Sequence, residues 1–217
     1  MKINTVIFDL DGTLLDTLGD LADATNWALN QLGYPAHPTE PYRYFVGNGA
    51  RVLCQRALPE DARDEKTVER LRSLFDLRYR GHLFDRTVPY EGIPQLLDEL
   101  KQEGFHLGVV SNKPDPFVQT IVGRYFPGIF EGVSGQQGKL TKPDPTGVNR
   151  LLALFGVSPD ETLYVGDSCV DIQTAKNALT HSCGAAWGFR GEEELQREGA
   201  ELIAHIPEEI HQFLRRT

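Results

Sequence analysis

The segment "FDLDGTLLDT", residues 8 to 17, places two carboxylates, Asp9 and Asp11, at the end of an apolar run with one residue between them. Residues two apart in a strand share a side, and where a strand ends the turning backbone lets such a pair flank one small ligand from different directions. Carboxylates that close repel each other unless a cation or a shared proton intervenes. An Asp-Gly step alone is an ordinary loop signal, but DxDGT directly after a buried strand reads as a site. Two more apolar runs end in polar groups: residues 107–110 lead to Ser111, and residues 163–166 lead to Asp167.

These runs, with residues 5–8 before Asp9, have the length and composition of fully buried strands. Helical patterns around 93–103, 115–124 and 145–155 alternate with them, which predicts an α/β fold: a parallel sheet with helices on both faces. In open sheets of this kind the site forms outside the carboxyl ends of the strands, where Asp9, Ser111 and Asp167 would meet. Residues 16–85 break the alternation. Residues 20–32 and 65–79 read as amphipathic helices with no strand between them, so this segment is expected to be an all-helical insertion, with residues 1–15 and 86–217 forming the core. Prolines 35, 38 and 41 punctuate the insertion, residues 88–92 mark the return to the core, and two further strands (181–186 and 201–205) and a last helix from Pro207 complete the chain.

A chain of 217 residues with 40% hydrophobic content can bury a sizeable core. Its 22 basic and 31 acidic residues give a net charge of -9 without any basic cluster, so no nucleic-acid partner is expected. An acidic protein that handles a small anion must neutralise it locally, with a metal ion and one or two placed cations. Cys54, Cys169 and Cys183 lack metal-ligand spacing and read as free thiols. No stretch has the length of a membrane span or the pattern of a signal peptide, so a cytoplasmic protein without a membrane partner is expected, as a monomer or homodimer.

The motifs resemble those of the haloacid dehalogenase-like hydrolases, four of them in order: Asp9-Leu10-Asp11-Gly12-Thr13, then Ser111 in "VVSNKPD", Lys142 in "TKPDP", and Asp167 and Asp171 in "VGDSCVD". The resemblance spans nearly the whole chain and implies a Rossmann-like core with the helical insertion as a cap. It also implies that Asp9 attacks phosphorus to give an aspartyl phosphate, while Asp11 protonates the leaving oxygen and later activates water. A carboxylate nucleophile splits a hard hydrolysis into two displacements, and a second carboxyl group can alternate as acid and base. By the same resemblance Mg²⁺ is held by Asp9, the Asp11 carbonyl and Asp167, with Asp171 close by or acting through water. Ser111, Asn112 and Lys142 would bind the transferring phosphoryl oxygens, and Gly12 and Thr13 would complete the cradle.

The second aspartate argues for phosphate chemistry, because dehalogenating members lack it. Phosphonate-cleaving members use a cap lysine, whereas Lys66 is the only lysine between residues 16 and 85 and sits in mid-helix. Phosphomutases with this type of cap carry a histidine in the first cap segment, and residues 16–35 contain none. The segments "LLDTLGDLADATNWALNQLGYP", "FVGNGAR" and "VVSNKP" are similar to those of bacterial phosphoglycolate phosphatases, which makes the expected substrate a small phosphorylated metabolite, 2-phosphoglycolate first. A pyrophosphatase, a sugar phosphatase and a phosphomutase of the same superfamily are the alternatives. Arg51, followed by Arg43, is the expected cap cation for the substrate carboxylate, and Asp16 belongs to the hinge between core and cap. A signalling receiver domain would be shorter and capless, and a non-catalytic relative would have lost one of the motif residues.

Overall fold

The computed structural model describes residues 2–138 and 140–216. Strand β1 (Thr5–Phe8) is followed by a short strand β2 (Leu15–Asp16) and four helices, α1 (Leu18–Gln31), α2 (Tyr42–Phe45), α3 (Ala50–Ala57) and α4 (Glu65–Gly81). A second short strand, β3 (Val88–Pro89), leads back into alternating structure: α5 (Ile93–Gln102), β4 (His106–Pro114), α6 (Asp115–Tyr125), β5 (Gly132–Gln136) and α7 (Thr146–Phe155). The chain continues through β6 (Thr162–Gly166), α8 (Cys169–Ala178), β7 (His181–Ala185), α9 (Glu192–Arg197), β8 (Leu202–Ala204) and α10 (Pro207–Leu214).

Six strands form one parallel sheet in the order β5, β4, β1, β6, β7, β8. β1 is central because all four of its residues are apolar or small enough to be buried on both faces. Val6 and Phe8 join a core cluster with Leu96, Leu97 and Leu100 of α5, Val118 and Ile121 of α6, and Ile210 and Leu214 of α10. Ile7 points the other way, into a cluster with Val148, Leu151 and Leu152 of α7 and Ala175 and Ala178 of α8. The two-residue period of the strand therefore holds a helical layer on each face. The core is a doubly wound α/β sandwich, and the chain reverses its direction of winding across β1.

Phe8 lies opposite Val109 of β4 and Val165 of β6, so β1 and β6 end within one residue of each other while β4 runs on to Pro114. That register brings Asp9, Ser111 and Asp167 to one edge. The Asp9 amide continues the ladder by donating to the Val165 carbonyl at 2.9 Å.

Helices α1 to α4 pack on one another around Leu21, Leu53, Val68, Leu71 and Phe75. In α4, Val68, Leu71, Phe75 and Tyr79 recur at helical spacing on one buried face, and the Asp64 side chain caps its start by accepting from the Thr67 amide at 3.1 Å. The two crossings between sheet and helices run side by side, because β2 and β3 pair antiparallel with Leu15 opposite Pro89. Asp20, buried in the first turn of α1, reinforces this base by accepting from the amides of Arg86 and Thr87 at 2.8 and 2.9 Å and from the Thr87 hydroxyl at 2.7 Å. Among the described residues, no helix is long and apolar enough to cross a membrane.

Candidate active site

Asp9 leaves the end of β1 and is buried, with its carboxylate 2.8 Å from the Lys142 ammonium. Lys142 also reaches Asp171 at 2.7 Å and is itself enclosed, so one cation serves two carboxylates. Asp171 is fixed from its other oxygen by the Ser168 hydroxyl at 2.6 Å and the Ser168 amide at 3.1 Å, a reciprocal cap at the start of α8. Asp167 accepts from the Phe189 amide at 2.7 Å. The backbone closes tightly around it: a Cβ at Gly12, whose φ is +86°, would stand 2.3 Å from the Asp167 carboxylate, and one at Gly188 would stand 2.4 Å from the Gly12 carbonyl. Only glycine fits these two positions.

One oxygen from each of Asp9, Asp167 and Asp171 lies within 4.8 Å of the others. Burial, opposed by Lys142, pushes the Asp9 carboxyl up to about 7. Burial, with the charges of Asp171 and Asp9 added, holds Asp167 well above the usual carboxylate range. Burial alone would lower Lys142, but the carboxylates of Asp171 and Asp9 outweigh it and keep the ammonium charged. Three buried carboxylates facing one ammonium leave negative charge uncompensated, and their hard oxygen donors suit a divalent cation such as Mg²⁺.

In front of this cluster is a cavity with about 460 Å³ of empty space, part of it open to solvent, which suits a small metabolite. Asp9, Asp11, Ser111, Asn112 and Lys113 line it from the core. Leu21, Val46, Leu53, Phe75 and Tyr79 line it from the helical insertion. The Ser111 hydroxyl accepts from the Lys113 amide at 3.2 Å, which leaves its own proton available to a ligand. Thr13 sits in the turn after Asp11 with a buried hydroxyl that has no partner among the described residues.

Two expected residues are placed differently. Asn112 lines the cavity but commits its amide elsewhere: the NH₂ donates to the carbonyls of Gly47 at 3.0 Å and Lys142 at 3.1 Å, and the oxygen accepts from the Lys142 amide at 2.7 Å. With both amide hydrogens engaged, it braces the Lys142 loop and holds the helical insertion down instead of facing a phosphoryl group. Arg51 does not reach the cavity. It lies on the outer side of α3, about half exposed, paired with Glu65 and, at 3.5 Å, with Glu69 of α4. Arg43 is likewise paired with Glu40, at 3.1 Å.

Two groups at the site were not foreseen from the sequence. Lys113 places its ammonium 2.6 Å from Asp11, and Tyr79 reaches the cavity from α4. Arg190 crosses from the core to donate to the Val46 carbonyl at 3.0 Å. A signal for Lys113 was present, since it follows Ser111 by two residues at the end of the same strand and so shares its side.

This arrangement, with a buried carboxylate at the end of a central parallel strand and a lysine and two aspartates beside it, is that of a class of hydrolases. The chain belongs to the haloacid dehalogenase-like hydrolases, whose family model matches residues 6–185. It is an enzyme of the phosphatase type within that family. The chain is 37% identical over 220 residues to a phosphoglycolate phosphatase of Vibrio parahaemolyticus, covering 96% of this chain and 94% of the relative. A phosphoglycolate phosphatase of Pseudomonas putida is 35% identical over 208 residues, covering 91% and 75% of the two chains. Among solved structures, a predicted phosphoglycolate phosphatase from Haemophilus somnus superposes with a TM-score of 0.91 at 29% identity, covering 98% of each chain.

Proposed function

We propose that the protein is a Mg²⁺-dependent phosphatase of the cytoplasm that hydrolyses 2-phosphoglycolate to glycolate and inorganic phosphate through an aspartyl phosphate on Asp9. The observation that carries this reading is the placement of Asp9 and Asp11 on one small cavity, with Lys142 at 2.8 Å from the first. The named relatives support the substrate. Residues 16–85 act as the cap that closes the cavity from water.

In the first displacement an Asp9 oxygen forms a bond to phosphorus, the bond from phosphorus to the glycolate oxygen breaks, and Asp11 gives that oxygen a proton. In the second, Asp11 takes a proton from water as the water oxygen attacks phosphorus. The bond from phosphorus to Asp9 then breaks and the carboxylate is restored. Ser111 donates a hydrogen bond to the phosphoryl group, and Lys142 holds Asp9 in line while adding positive charge beside the phosphoryl oxygens. Mg²⁺, held by Asp9 and Asp167 with the Asp11 carbonyl and with Asp171 supporting them, would neutralise charge on the phosphoryl group.

The reading is tested by phosphate release with and without Mg²⁺ from 2-phosphoglycolate, pyrophosphate, β-glucose 1-phosphate and other sugar phosphates, with Asp9→Asn as control. A strong preference for 2-phosphoglycolate, lost in the variant, is expected. A preference for another ester would keep the chemistry and replace the substrate, and release that survives Asp9→Asn would overturn the mechanism.

A further inference from the structure

The cavity in front of Asp9 is unevenly charged. Its charged lining residues are Asp9, Asp11 and Lys113. Lys142 stands behind the nucleophile and is shared between two carboxylates, and the two insertion arginines nearest in sequence, Arg43 and Arg51, are tied to glutamates. A second anionic group on a substrate, entering a space otherwise walled by Leu21, Val46, Leu53 and Phe75, would lose its hydration and needs a partner there.

Lys113 can be that partner. Its side chain is only 3% exposed, and its ammonium makes one hydrogen bond among the described residues, at 2.6 Å to Asp11 Oδ1. An ammonium has three donors, so further directions remain open toward the cavity it lines. The same ammonium lies 5.0 Å from the centre of the Tyr79 ring. The Tyr79 hydroxyl is buried and meets no hydrogen-bond partner at full geometry among the described residues; the polar group beside it is the Lys113 ammonium. Its ring is clamped by Phe75, stacked at 5.2 Å, and by Phe117, edge-on at 5.4 Å, so the orphaned hydroxyl cannot swing away to find one. A buried hydroxyl without a partner is costly, and a rigid one beside a buried ammonium describes a prepared anion subsite.

We propose that Lys113 and Tyr79 form the subsite for the substrate's carboxylate, Lys113 by charge and Tyr79 by a hydrogen bond, with Asp11 as the lysine's partner when the cavity is empty. This rests on the reading of the protein as a phosphatase of a carboxylated phosphomonoester. The subsite is built from both parts of the molecule, since Lys113 ends β4 of the sheet and Tyr79 belongs to α4 of the insertion. It is therefore complete only when the insertion sits on the core.

The test compares 2-phosphoglycolate with ethyl phosphate, which has a methyl group in place of the carboxylate. In Lys113→Met, kcat/KM for 2-phosphoglycolate is expected to fall by about 100-fold or more, mainly through KM, while ethyl phosphate loses less than about tenfold. Tyr79→Phe is expected to lose about tenfold on 2-phosphoglycolate alone. Equal losses on both substrates, carried by kcat, would overturn the subsite and leave Lys113 as a positioning residue for Asp11. Calorimetric binding of both esters to Asp9→Asn, with and without Lys113→Met, provides a reading free of turnover, in which the preference for 2-phosphoglycolate is expected to be lost with the lysine. Unchanged discrimination between the esters on adding Lys113→Met to Asp9→Asn would also overturn it. A wild type that treats the two esters alike would overturn the substrate reading itself, whereas a preference retained by Lys113→Met would overturn only the role of Lys113.

Discussion

Two buried lysines flank the aspartates of the site, and they are used in opposite ways. Lys142, on the floor, is divided between Asp9 and Asp171 at 2.8 and 2.7 Å, and the floor holds three carboxyl groups to one ammonium. Lys113, on the side wall, has one carboxylate partner at 2.6 Å and a neighbouring hydroxyl that meets none at full geometry among the described residues. The floor is short of positive charge and awaits a cation, while the side wall has hydrogen-bond donors to spare and awaits an anion. A phosphorylated acid bound with a divalent cation would satisfy both.

The strongest way to break this contrast is Lys142→Met. It strips the floor of its cation and leaves buried carboxylates uncompensated, so phosphate release is expected to fall by at least about 1,000-fold. Unfolding in urea should show a loss of about 3–5 kcal/mol. A variant that unfolds like the wild type would mean that the floor's charges are balanced by something other than this lysine.

A smaller effect is expected from pH in the presence of a chelator. Asp9 is raised from 3.8 to about 7 by burial, so between these values the folded chain keeps a proton that the unfolded chain has released. This favours folding fully below about pH 4, and the advantage is lost as the pH rises through about 7. Relative to Asp9→Asn, the wild type should therefore lose melting temperature across that window, and Mg²⁺ should restore it. Parallel profiles for the two proteins, with or without Mg²⁺, would contradict a cation-seeking floor.

The smallest effect tests the roof. Arg51→Ala removes a half-exposed arginine that faces Glu65 and Glu69, so KM should change by less than about twofold and stability by less than about 1 kcal/mol. A tenfold rise in KM for 2-phosphoglycolate would return Arg51 to the substrate and weaken the case for Lys113.

The floor was readable in the sequence and the wall was not, for a physical reason. Asp9, Ser111 and Asp167 each end an apolar run, and a parallel sheet leaves such residues only one edge on which to meet. The bounds of β1 are those its apolar run gives, and α5, α6 and α7 follow the helical patterns closely. β5 was missed because "GVSGQ" has neither a sustained apolar run nor β-branched enrichment; it is a strand because β4 supplies its ladder. The wall depends on which way a helix is rolled and where a long side chain bends. Arg51 follows a glycine-rich loop as a ligand-binding arginine might be expected to, yet it turns toward glutamates 14 and 18 residues further on. Asn112 was recognised as a site residue, but the carbonyl of Gly47 that its amide holds is 65 residues away in sequence. No local pattern encodes that distance.

The antiparallel pairing of Leu15 with Pro89 gives the insertion the form of a parenthesis. The chain leaves the sheet and returns to it at a single point, so what lies between can lengthen, shorten or be exchanged without changing the order of any core strand. The carboxylates of the site and the apolar residues that roof the cavity are thus recorded in separable lengths of chain. Lys113 crosses that division: the proposed carboxylate subsite takes its cation from the sheet, and an exchanged insertion would still have to reckon with that charge.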